Sequence, residues 1–504
     1  MESTASTEKR ETFTSRFGGF MVIIMTSLGL GNIWRFPYLA AKYGGAAFVL
    51  VYLLAIVFIV NIGNMCEICM GKFSRRAVVG AFTAIGRRPV WRICGIAILC
   101  LNIIVLSYYN VVIGWVARYF FTSFSGAVWR APSPEVFFKA FIDTPQVFLW
   151  VLLVNAIVFG ILWFGVTRGL EKASLIMGPV LFIIMSIMVV RTLNLHGVSK
   201  GLEYYLAPNW NYLFRYETWM QAIGQALWSG AFGWGIILTM GSYMKKGEDI
   251  GSSITQTGLL DGAISWLVGL AIIPACIVYG VPLDSGTSLS FLVLPKMFQE
   301  MPGGHLMMIL FYASLALAGI GATVGCVEAG LAPMMEEWGW SRKMAIPVGF
   351  VLWNVAALPA SLNKNVFDWL DTTIGSYAIL LGGFFILFFV GWAWGADRVR
   401  KYVLNLGADI PFGPWWNVLV KYVAPGLIAF AAYGFFKVWL LPSVPGPVAW
   451  PLIIVICAWV LFMFVEAVRH PVPPDIGDIP KEVLHYKESA LDRLMPASAD
   501  DKML

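Results

Sequence analysis

Residues 26–38 read TSLGLGNIWRFPY, so two glycines and an asparagine stand in the middle of an apolar segment. A second apolar segment, GQALWSGAFGWGIILT at 224–239, is interrupted by three more glycines. Glycine weakens a helix interior by about 1 kcal/mol relative to alanine, and unwound backbone at membrane depth is tolerated where it lines a protein-enclosed cavity. The two segments therefore predict two interrupted helices beside a buried site. For either segment alone, a face of small residues that packs helices closely is the alternative.

The composition places most of the chain in lipid. Of its 504 residues, 59% are hydrophobic and only 13% are charged, whereas a soluble domain carries about 25% charged residues. A membrane-spanning helix needs roughly 20 apolar residues. The sequence therefore predicts an all-α membrane protein with twelve transmembrane helices, and it excludes a nucleic-acid-binding role. The predicted spans are 17–41, 46–72, 91–123, 146–164, 170–193, 217–244, 253–280, 306–337, 343–361, 366–396, 416–441 and 448–469.

Basic residues are concentrated in alternate connections, for example at 72–76, 87–88, 245–246 and 398–401. By the positive-inside rule these connections face the cytoplasm, together with both termini. The formal net charge of +6 is thus interpreted as a topology signal.

The two interrupted spans are the first and the sixth, which predicts two inverted five-helix repeats with a site at their interface and two extra helices after them. We expect a cytoplasmic N-terminal segment (1–16), a ten-helix transport core (17–396), helices 11 and 12 (397–470) and a cytoplasmic tail (471–504).

Four motifs occur in the same order as in a known family. They are GLGNIWRFPY at 29–38, SYYNV at 107–111, GQALWSGAFGWG at 224–235 and SRK at 341–343. On these motifs the chain resembles the neurotransmitter:sodium symporter family, and within it the bacterial amino-acid transporters. The resemblance runs from about Arg10 to the twelfth span.

The resemblance implies a pocket for a small amino acid. Monoamine carriers of the family have an aspartate at the position of Gly29, whereas amino-acid carriers have glycine because their substrate brings its own carboxylate. Half-helix N-termini and the hydroxyl of Tyr109 would hold that carboxylate. The walls are largely apolar, which favours a neutral, hydrophobic or aromatic side chain. The implied substrate-binding residues are Thr26, Ser27, Gly29, Gly31, Val105, Tyr109, Trp228, Ser229, Ala231, Trp234, Ala322 and Cys326.

The resemblance also implies a first sodium site, made by the Ser27 carbonyl, Asn32, Ser229 and Asp261. Most relatives have asparagine in place of Asp261. A carboxylate at membrane depth costs roughly 2.5 to 3.5 kcal/mol, so a cation partner is expected. Chloride-dependent relatives bind chloride beside this site. The matching residues Tyr52, Gln225, Ser229 and Ser265 are present, but Asp261 already supplies the negative charge. We therefore predict chloride independence.

A second sodium site of the family fits this sequence less well. Its positions match Met25, Leu28, Ala318, Gly321 and Ala322, and the last two lack a side-chain oxygen where the family has ligands. An alignment shift, or a local bulge that brings in Thr323, is one interpretation. The other is a weakened or missing second site, with coupling to one sodium ion or partly to protons.

Two gates are implied on either side of the pocket. Arg35 and Asp368 match the outer gate, and Arg10, Tyr243 and Glu336 match the inner gate, with Phe13 where relatives have tryptophan. Glu67 and Glu328 match buried carboxylates that we expect to tie helices together rather than to carry protons.

The sequence therefore predicts a sodium-coupled symporter that imports a neutral amino acid by alternating access. The alternatives are a sodium-independent or proton-coupled exchanger of the same fold, and a non-transporting amino-acid sensor. An enzyme is not expected, because all four histidines lie in loops or the tail and no nucleophile motif occurs. Sodium ions and the lipid bilayer are the expected partners, with no organic cofactor. The chain has no Asn-x-Ser/Thr sequon, which favours a bacterial inner membrane. The oligomeric state is left open.

Overall fold

The computed structural model describes residues 11–142, 144–245, 247–283 and 289–437, together with 462, 463, 465–467, 469 and 472. Every regular element in this described part is helical. The main helices are α1 (Arg16–Ser27), α2 (Gly31–Lys42), α3 (Ala46–Ser74), α4 (Val78–Gly86), α5 (Pro89–Phe124), α6 (Pro134–Ile142), α7 (Gln146–Trp163), α8 (Val166–Leu193), α9 (Val198–Leu206), α10 (Tyr216–Ser229), α11 (Ile236–Tyr243), α12 (Ile250–Val278), α13 (Leu294–Glu300), α14 (Gly304–Trp338), α15 (Arg342–Leu362), α16 (Lys364–Thr373), α17 (Ile379–Leu404) and α18 (Trp415–Phe435).

The helical membrane architecture agrees with the sequence prediction. Within the described residues, nine helices are long and apolar enough to cross a membrane, and α1 and α2 form a further span bent by 51°. The broken pair α10 and α11 lies where the sixth span is predicted. The predicted twelfth span and the tail fall almost entirely outside the described residues, so the count of twelve and the inverted repeat stay predictions.

The helix of the tenth predicted span is longer than expected. The basic residues that follow position 396 were predicted to form a loop, yet α17 continues to Leu404. Arg400 and Lys401 each pair with Asp397 at 2.7 Å within the same helix. Ion pairs at spacings of three and four residues stabilise a helix, which explains the extension.

Helix burial separates an inner group of spans from an outer group. The most apolar window of α12 is 72% buried inside the protein, whereas that of α8 is only 33% buried. Large apolar side chains such as Leu149 on α7 and Phe182 on α8 are exposed. In a membrane protein such an apolar surface faces lipid. The inner helices are α3, α5, α12, α14 and α17, and they pack around the two broken spans.

Candidate functional site

Both glycine-containing spans are interrupted where the sequence predicts. α1 ends at Ser27, and the amide of Gly29 then donates to the Ser27 carbonyl over 2.9 Å in a tight turn. Between α10 and α11, Ala231, Gly233 and Gly235 have φ of 52°, 100° and 72°. Glycine adopts positive φ readily, but Ala231 does so at a cost, and such strain is concentrated at functional sites. The two breaks leave backbone groups outside the regular helical ladder.

A small buried pocket lies at the two breaks. It is lined by residues from α1, α2, α5, α10, the second break and α14, namely Thr26, Ser27, Gly29, Gly31, Asn32, Tyr109, Trp228, Ser229, Ala231, Trp234, Ala322 and Cys326. Eleven of the twelve residues predicted to bind substrate are among these. The exception is Val105, which is fully buried in the helix packing one turn before Tyr109 and does not line this cavity.

The pocket is nearly filled by the indole of Trp228. Its open space is about 20 Å³, room for about one or two water molecules. A methyl group added at Gly31 would lie 2.4 Å from Cδ1 of Trp228, so only glycine permits this approach. Trp234 stacks near the same indole, with ring centroids 5.0 Å apart. Trp228 must therefore move before a ligand larger than water can occupy the pocket.

One end of the pocket is rich in hydrogen-bond donors. The Leu30 amide donates to the Tyr109 hydroxyl over 3.0 Å, which leaves the hydroxyl proton of Tyr109 available for another acceptor. Gly29 lies so close that an added methyl group would be 2.7 Å from the same hydroxyl. The N-terminus of α2, with its partial positive charge, begins here. This combination suits a carboxylate.

Asp261 is an acidic group beside the pocket, and it accepts hydrogen bonds from three helices. Asn32 donates to its Oδ1 over 2.7 Å, while Tyr52 and Ser229 donate to Oδ2 over 3.0 and 2.9 Å. Ser265 joins the network through Asn32 at 2.9 Å and Tyr52 at 3.0 Å. The charge of the buried carboxylate is therefore stabilised by neutral donors.

The four predicted ligands of the first sodium site are brought together. Oδ1 of Asn32 and the carbonyl of Ser27 both accept the Gly29 amide, at 3.2 and 2.9 Å. Ser229 and Asp261 contact each other directly at 2.9 Å. Sodium is a hard cation that prefers oxygen ligands, and this cluster offers a carboxylate, a hydroxyl, an amide oxygen and a carbonyl. The residue types fit the ion.

The second predicted cation site lacks side-chain oxygens. Gly321 and Ala322 carry none, and the hydroxyl of Thr323 donates to the carbonyl of Gly319 within α14 over 2.8 Å. α14 is continuous from Gly304 to Trp338, so no bulge redirects Thr323. Only the backbone carbonyls predicted for this site, those of Met25, Leu28 and Ala318, can still supply oxygen.

The outer gate differs from the sequence prediction. Asp368 forms an ion pair with Lys364 one turn away, at 2.5 Å. The acidic residue that interacts electrostatically with Arg35 is instead Asp371. Asp368 and Asp371 lie three residues apart, so they are neighbours on one face of α16, about one turn apart along its axis. In this structure Arg35 thus interacts with Asp371 rather than with Asp368, and its guanidinium also lies 5.9 Å from the ring of Trp228. The place of Asp368 in an outer gate stays a prediction.

On the opposite side, Tyr243 donates to Glu328 over 2.6 Å, and Arg342 forms two hydrogen bonds with the same carboxylate at 2.7 and 2.9 Å. Glu336 accepts the Ala77 amide at 2.9 and 3.0 Å. Arg10 lies outside the described residues, so its pairing with Glu336 stays a prediction.

The segment before α1 is anchored on this side. Phe13 is fully buried, and its amide donates to the carbonyl of Tyr243 over 3.0 Å. Glu171, at the start of α8, accepts the amide of Thr14 at 2.8 Å and its hydroxyl at 2.5 Å. The N-terminal segment is therefore held against α8 and the end of α11.

Glu67 ties α3 to the second break. Its two carboxylate oxygens accept the amides of Gly233 at 2.8 Å and Leu238 at 2.9 Å. These amides belong to backbone that has left the helical ladder or begins a new helix, so they lack helical partners. The expectation that Glu67 and Glu328 tie helices together agrees with these contacts.

Most of the chain is similar to known transporters. The Sodium:neurotransmitter symporter family matches residues 10–140 and 139–469. The chain belongs to this family. An uncharacterised sodium-dependent transporter of Methanocaldococcus jannaschii is 28% identical to this symporter, with 83% of this chain and 88% of the relative aligned. Another from Bacillus subtilis is 27% identical, over 83% of this chain and 96% of the relative. The crystal structure of MhsT in complex with L-phenylalanine superposes with a TM-score of 0.77 and 30% identity, covering 85% of this chain and 100% of MhsT.

The symporter is thus an integral membrane protein and a sodium-dependent transporter of a small molecule, not an enzyme. Its resemblance to the family, inferred from four short motifs, is confirmed across nearly the whole chain.

Two residues of this symporter were missed by the sequence interpretation. Asp371 could have been found, because Lys364 lies four residues before Asp368 and this spacing predicts a local ion pair that leaves Asp371 free to face Arg35. Arg342 was interpreted only as part of the SRK motif and as a basic residue of a connection. Its two bonds to Glu328 join the start of α15 to α14, and sequence spacing carries no signal for such a contact.

Proposed function

We propose that this symporter imports a neutral, hydrophobic or aromatic amino acid together with sodium, and that it does so without chloride. The observation that carries the proposal is the adjacency of two features at one break: the donor-rich end at Leu30 and Tyr109, and the anionic cluster around Asp261. A substrate carboxylate and a sodium ion would lie side by side there and stabilise each other.

The pocket lining supports an uncharged side chain. None of its twelve lining residues is a lysine, arginine, aspartate or glutamate. Trp228 and Trp234 form an aromatic wall, and the small side chains of Ala322 and Cys326 also line the pocket. Because an unpaired charge is expensive in such surroundings, charged side chains are disfavoured. The similar MhsT structure holds L-phenylalanine, which agrees with this proposal.

The donors around Asp261 support chloride independence. Tyr52 and Ser229 hydrogen-bond to the Asp261 carboxylate, and Ser265 contacts Tyr52. These three hydroxyls match the residues expected around chloride in chloride-dependent relatives. Tyr52 and Ser229 can donate hydrogen bonds to this fixed carboxylate, so a free anion is not needed to balance the sodium charge.

Coupling between sodium binding and substrate binding follows from contacts that the two sites share. Asn32 bonds both to the Gly29 turn and to Asp261, so sodium that orders this residue also orders the substrate end. Binding of the ion then favours binding of the substrate, and binding of the substrate favours binding of the ion by the same free energy. Approach of Asp371 to Arg35 would close the outer side, and release of the N-terminal segment from Tyr243 would open the inner side. We further propose that the protein resides in a bacterial inner membrane with both termini in the cytoplasm.

A sodium-independent or proton-coupled exchanger is the second candidate, because Gly321 and Ala322 offer no side-chain ligand to a cation. A sensor that binds without transporting is the third. Purified full-length protein in proteoliposomes separates all three. We expect an inward sodium gradient to drive accumulation of phenylalanine, tryptophan or leucine, but not of lysine or glutamate. Equal uptake in sodium and potassium would contradict the proposal, and so would binding without any uptake.

A further inference from the structure

The side chain of Met25 fills the interface where α1 meets α8 and α14. Met25 is completely buried. A methyl group added at Gly321 of α14 would lie 2.5 Å from Cε of Met25, and one added at Gly178 of α8 would lie 3.3 Å from its Sδ. Both distances are shorter than ordinary packing contacts. In this conformation the Met25 side chain thus occupies the space that side chains at Gly178 and Gly321 would need.

This interface is the place that the resemblance implies for a second sodium ion. The position of a Cβ at Gly321 is 3.7 Å from the carbonyl oxygen of Met25. Residue 321 is thus the position on α14 from which a side chain would reach that carbonyl. The hydroxyl of Thr323 is held by the Gly319 carbonyl instead. A shift in alignment therefore does not account for the missing ligands.

The groups that occupy the interface are apolar. Cε of Met177 lies 3.5 Å from the Cβ position at Gly321, and Cε of Met21 lies 2.4 Å from that at Gly178. Three thioether side chains thus gather here. Thioethers are soft ligands, whereas sodium is a hard ion that takes oxygen ligands. An ion that gave up its hydration shell here would find backbone carbonyls but no hydroxyl.

We infer that the Met25 side chain takes the place of the second sodium ion, so that this transporter binds one sodium ion and moves one per substrate. The inference rests on the proposed function and deepens it by assigning the stoichiometry. A permanent apolar contact then holds α1 against α8 and α14, where an exchangeable ion would hold them only when bound. One net positive charge accompanies each zwitterionic amino acid.

The number of bound sodium ions tests the inference. Equilibrium dialysis of the purified full chain against radioactive sodium, with saturating amino acid, should give one ion per protein. The triple variant Met25→Ala, Gly321→Thr, Ala322→Ser removes most of the Met25 side chain and supplies two hydroxyls at the interface. We expect this variant to bind two sodium ions. Gly321→Thr alone should add none, because the threonine side chain would collide with Met25. Met25→Leu is the matched control that keeps an apolar side chain, and it should also bind one ion.

Flux measurements separate failure of this inference from failure of the proposed function. In proteoliposomes the ratio of sodium to amino acid should be one, and the Hill coefficient for sodium should also be one. Two bound ions or a ratio of two in the wild type would overturn the inference while leaving the symport proposal intact. Absence of sodium-dependent uptake for every amino acid, with no sodium bound, would overturn both.

Discussion

Asn32 donates a hydrogen bond from Nδ2 to Oδ1 of Asp261 over 2.7 Å, and this contact joins the break between α1 and α2 to α12. Asp261 is buried, and its other oxygen accepts bonds from Tyr52 and Ser229. Neutral donors reduce the cost of a buried carboxylate, but they do not cancel its charge. The contact thus creates a negatively charged oxygen cluster at the edge of the pocket, where a cation is needed.

Replacing Asp261 with asparagine should make transport depend on chloride. The variant keeps the shape of the side chain but loses the charge that balances sodium. In chloride-free medium we expect sodium-driven uptake to fall by about tenfold or more, equivalent to at least about 1.4 kcal/mol, and added chloride to restore part of it. Radiolabelled uptake with gluconate in place of chloride measures this. The control is Asp409→Asn, an exposed acidic residue away from the pocket. Wild-type uptake that collapses in gluconate would refute the prediction.

The interaction of Arg35 with Asp371 predicts different effects for two neighbouring aspartates. Asp371→Asn removes the electrostatic partner of Arg35, so we expect uptake to slow by roughly tenfold, the effect of about 1.4 kcal/mol. Asp368→Asn breaks only a partly exposed pair with Lys364, a type of interaction worth about 0.2 to 1 kcal/mol, and uptake should change by less than about threefold. Initial rates in proteoliposomes compare the two. A larger effect of Asp368→Asn than of Asp371→Asn would show that Asp368 is the acidic residue of the gate.

Adjacent tyrosines on α5 provide a matched test of the carboxylate end. Tyr109→Phe removes the hydroxyl that accepts the Leu30 amide and would also lose its bond to substrate. We expect the apparent affinity for amino acid to weaken by roughly tenfold or more, since a hydrogen bond to a charged group contributes about 1.5 to 3 kcal/mol. Tyr108→Phe is the control, because the buried Tyr108 hydroxyl has no hydrogen-bond partner in the described part of the chain. Thermal-shift titration with amino acid in sodium buffer gives both affinities. Equal losses in the two variants would mean that the Tyr109 hydroxyl does not contact substrate.

The carboxylate of Glu67 should contribute to stability. Glu67→Gln replaces one accepting oxygen with an NH₂ group that faces a backbone amide donor, at either Gly233 or Leu238. We expect the free energy of unfolding to fall by about 2 kcal/mol, since the lost bond involves a charged group. Thermal unfolding in detergent, followed by tryptophan fluorescence, reports the change. Glu337→Gln, which breaks the partly exposed pair with Arg92, should alter stability by less than about 1 kcal/mol. A Glu67→Gln variant as stable as the wild type would show that this break needs no carboxylate.

Local sequence features were sufficient for the membrane helices and for the position of both breaks. The length of the apolar segments predicted the spans. Glycines marked the interruptions because glycine has no side chain to pack and permits positive φ, as at Gly233 and Gly235. The order of the motifs was sufficient to predict the family and eleven of the twelve residues that line the pocket. Short, distinctive segments fix how this chain aligns with the family, and the alignment gives these positions.

Contacts between distant segments were beyond the reach of local patterns. Asp368 and Asp371 are equivalent in a list of acidic residues, and only the tertiary structure shows which one interacts with Arg35. The place of Val105 outside the pocket and the pairing of Arg342 with Glu328 likewise depend on how helices pack.

The sequence by itself determined that this chain is a helical membrane protein with two broken spans, because hydrophobic length and glycine placement act within one segment. Tertiary structure alone decided that Met25 lies between Gly178 and Gly321. That arrangement depends on the volumes left by three separate helices. The sequence shows only that Gly321 and Ala322 lack a side-chain hydroxyl, whereas the folded protein shows that thioether side chains fill the interface beside Gly321.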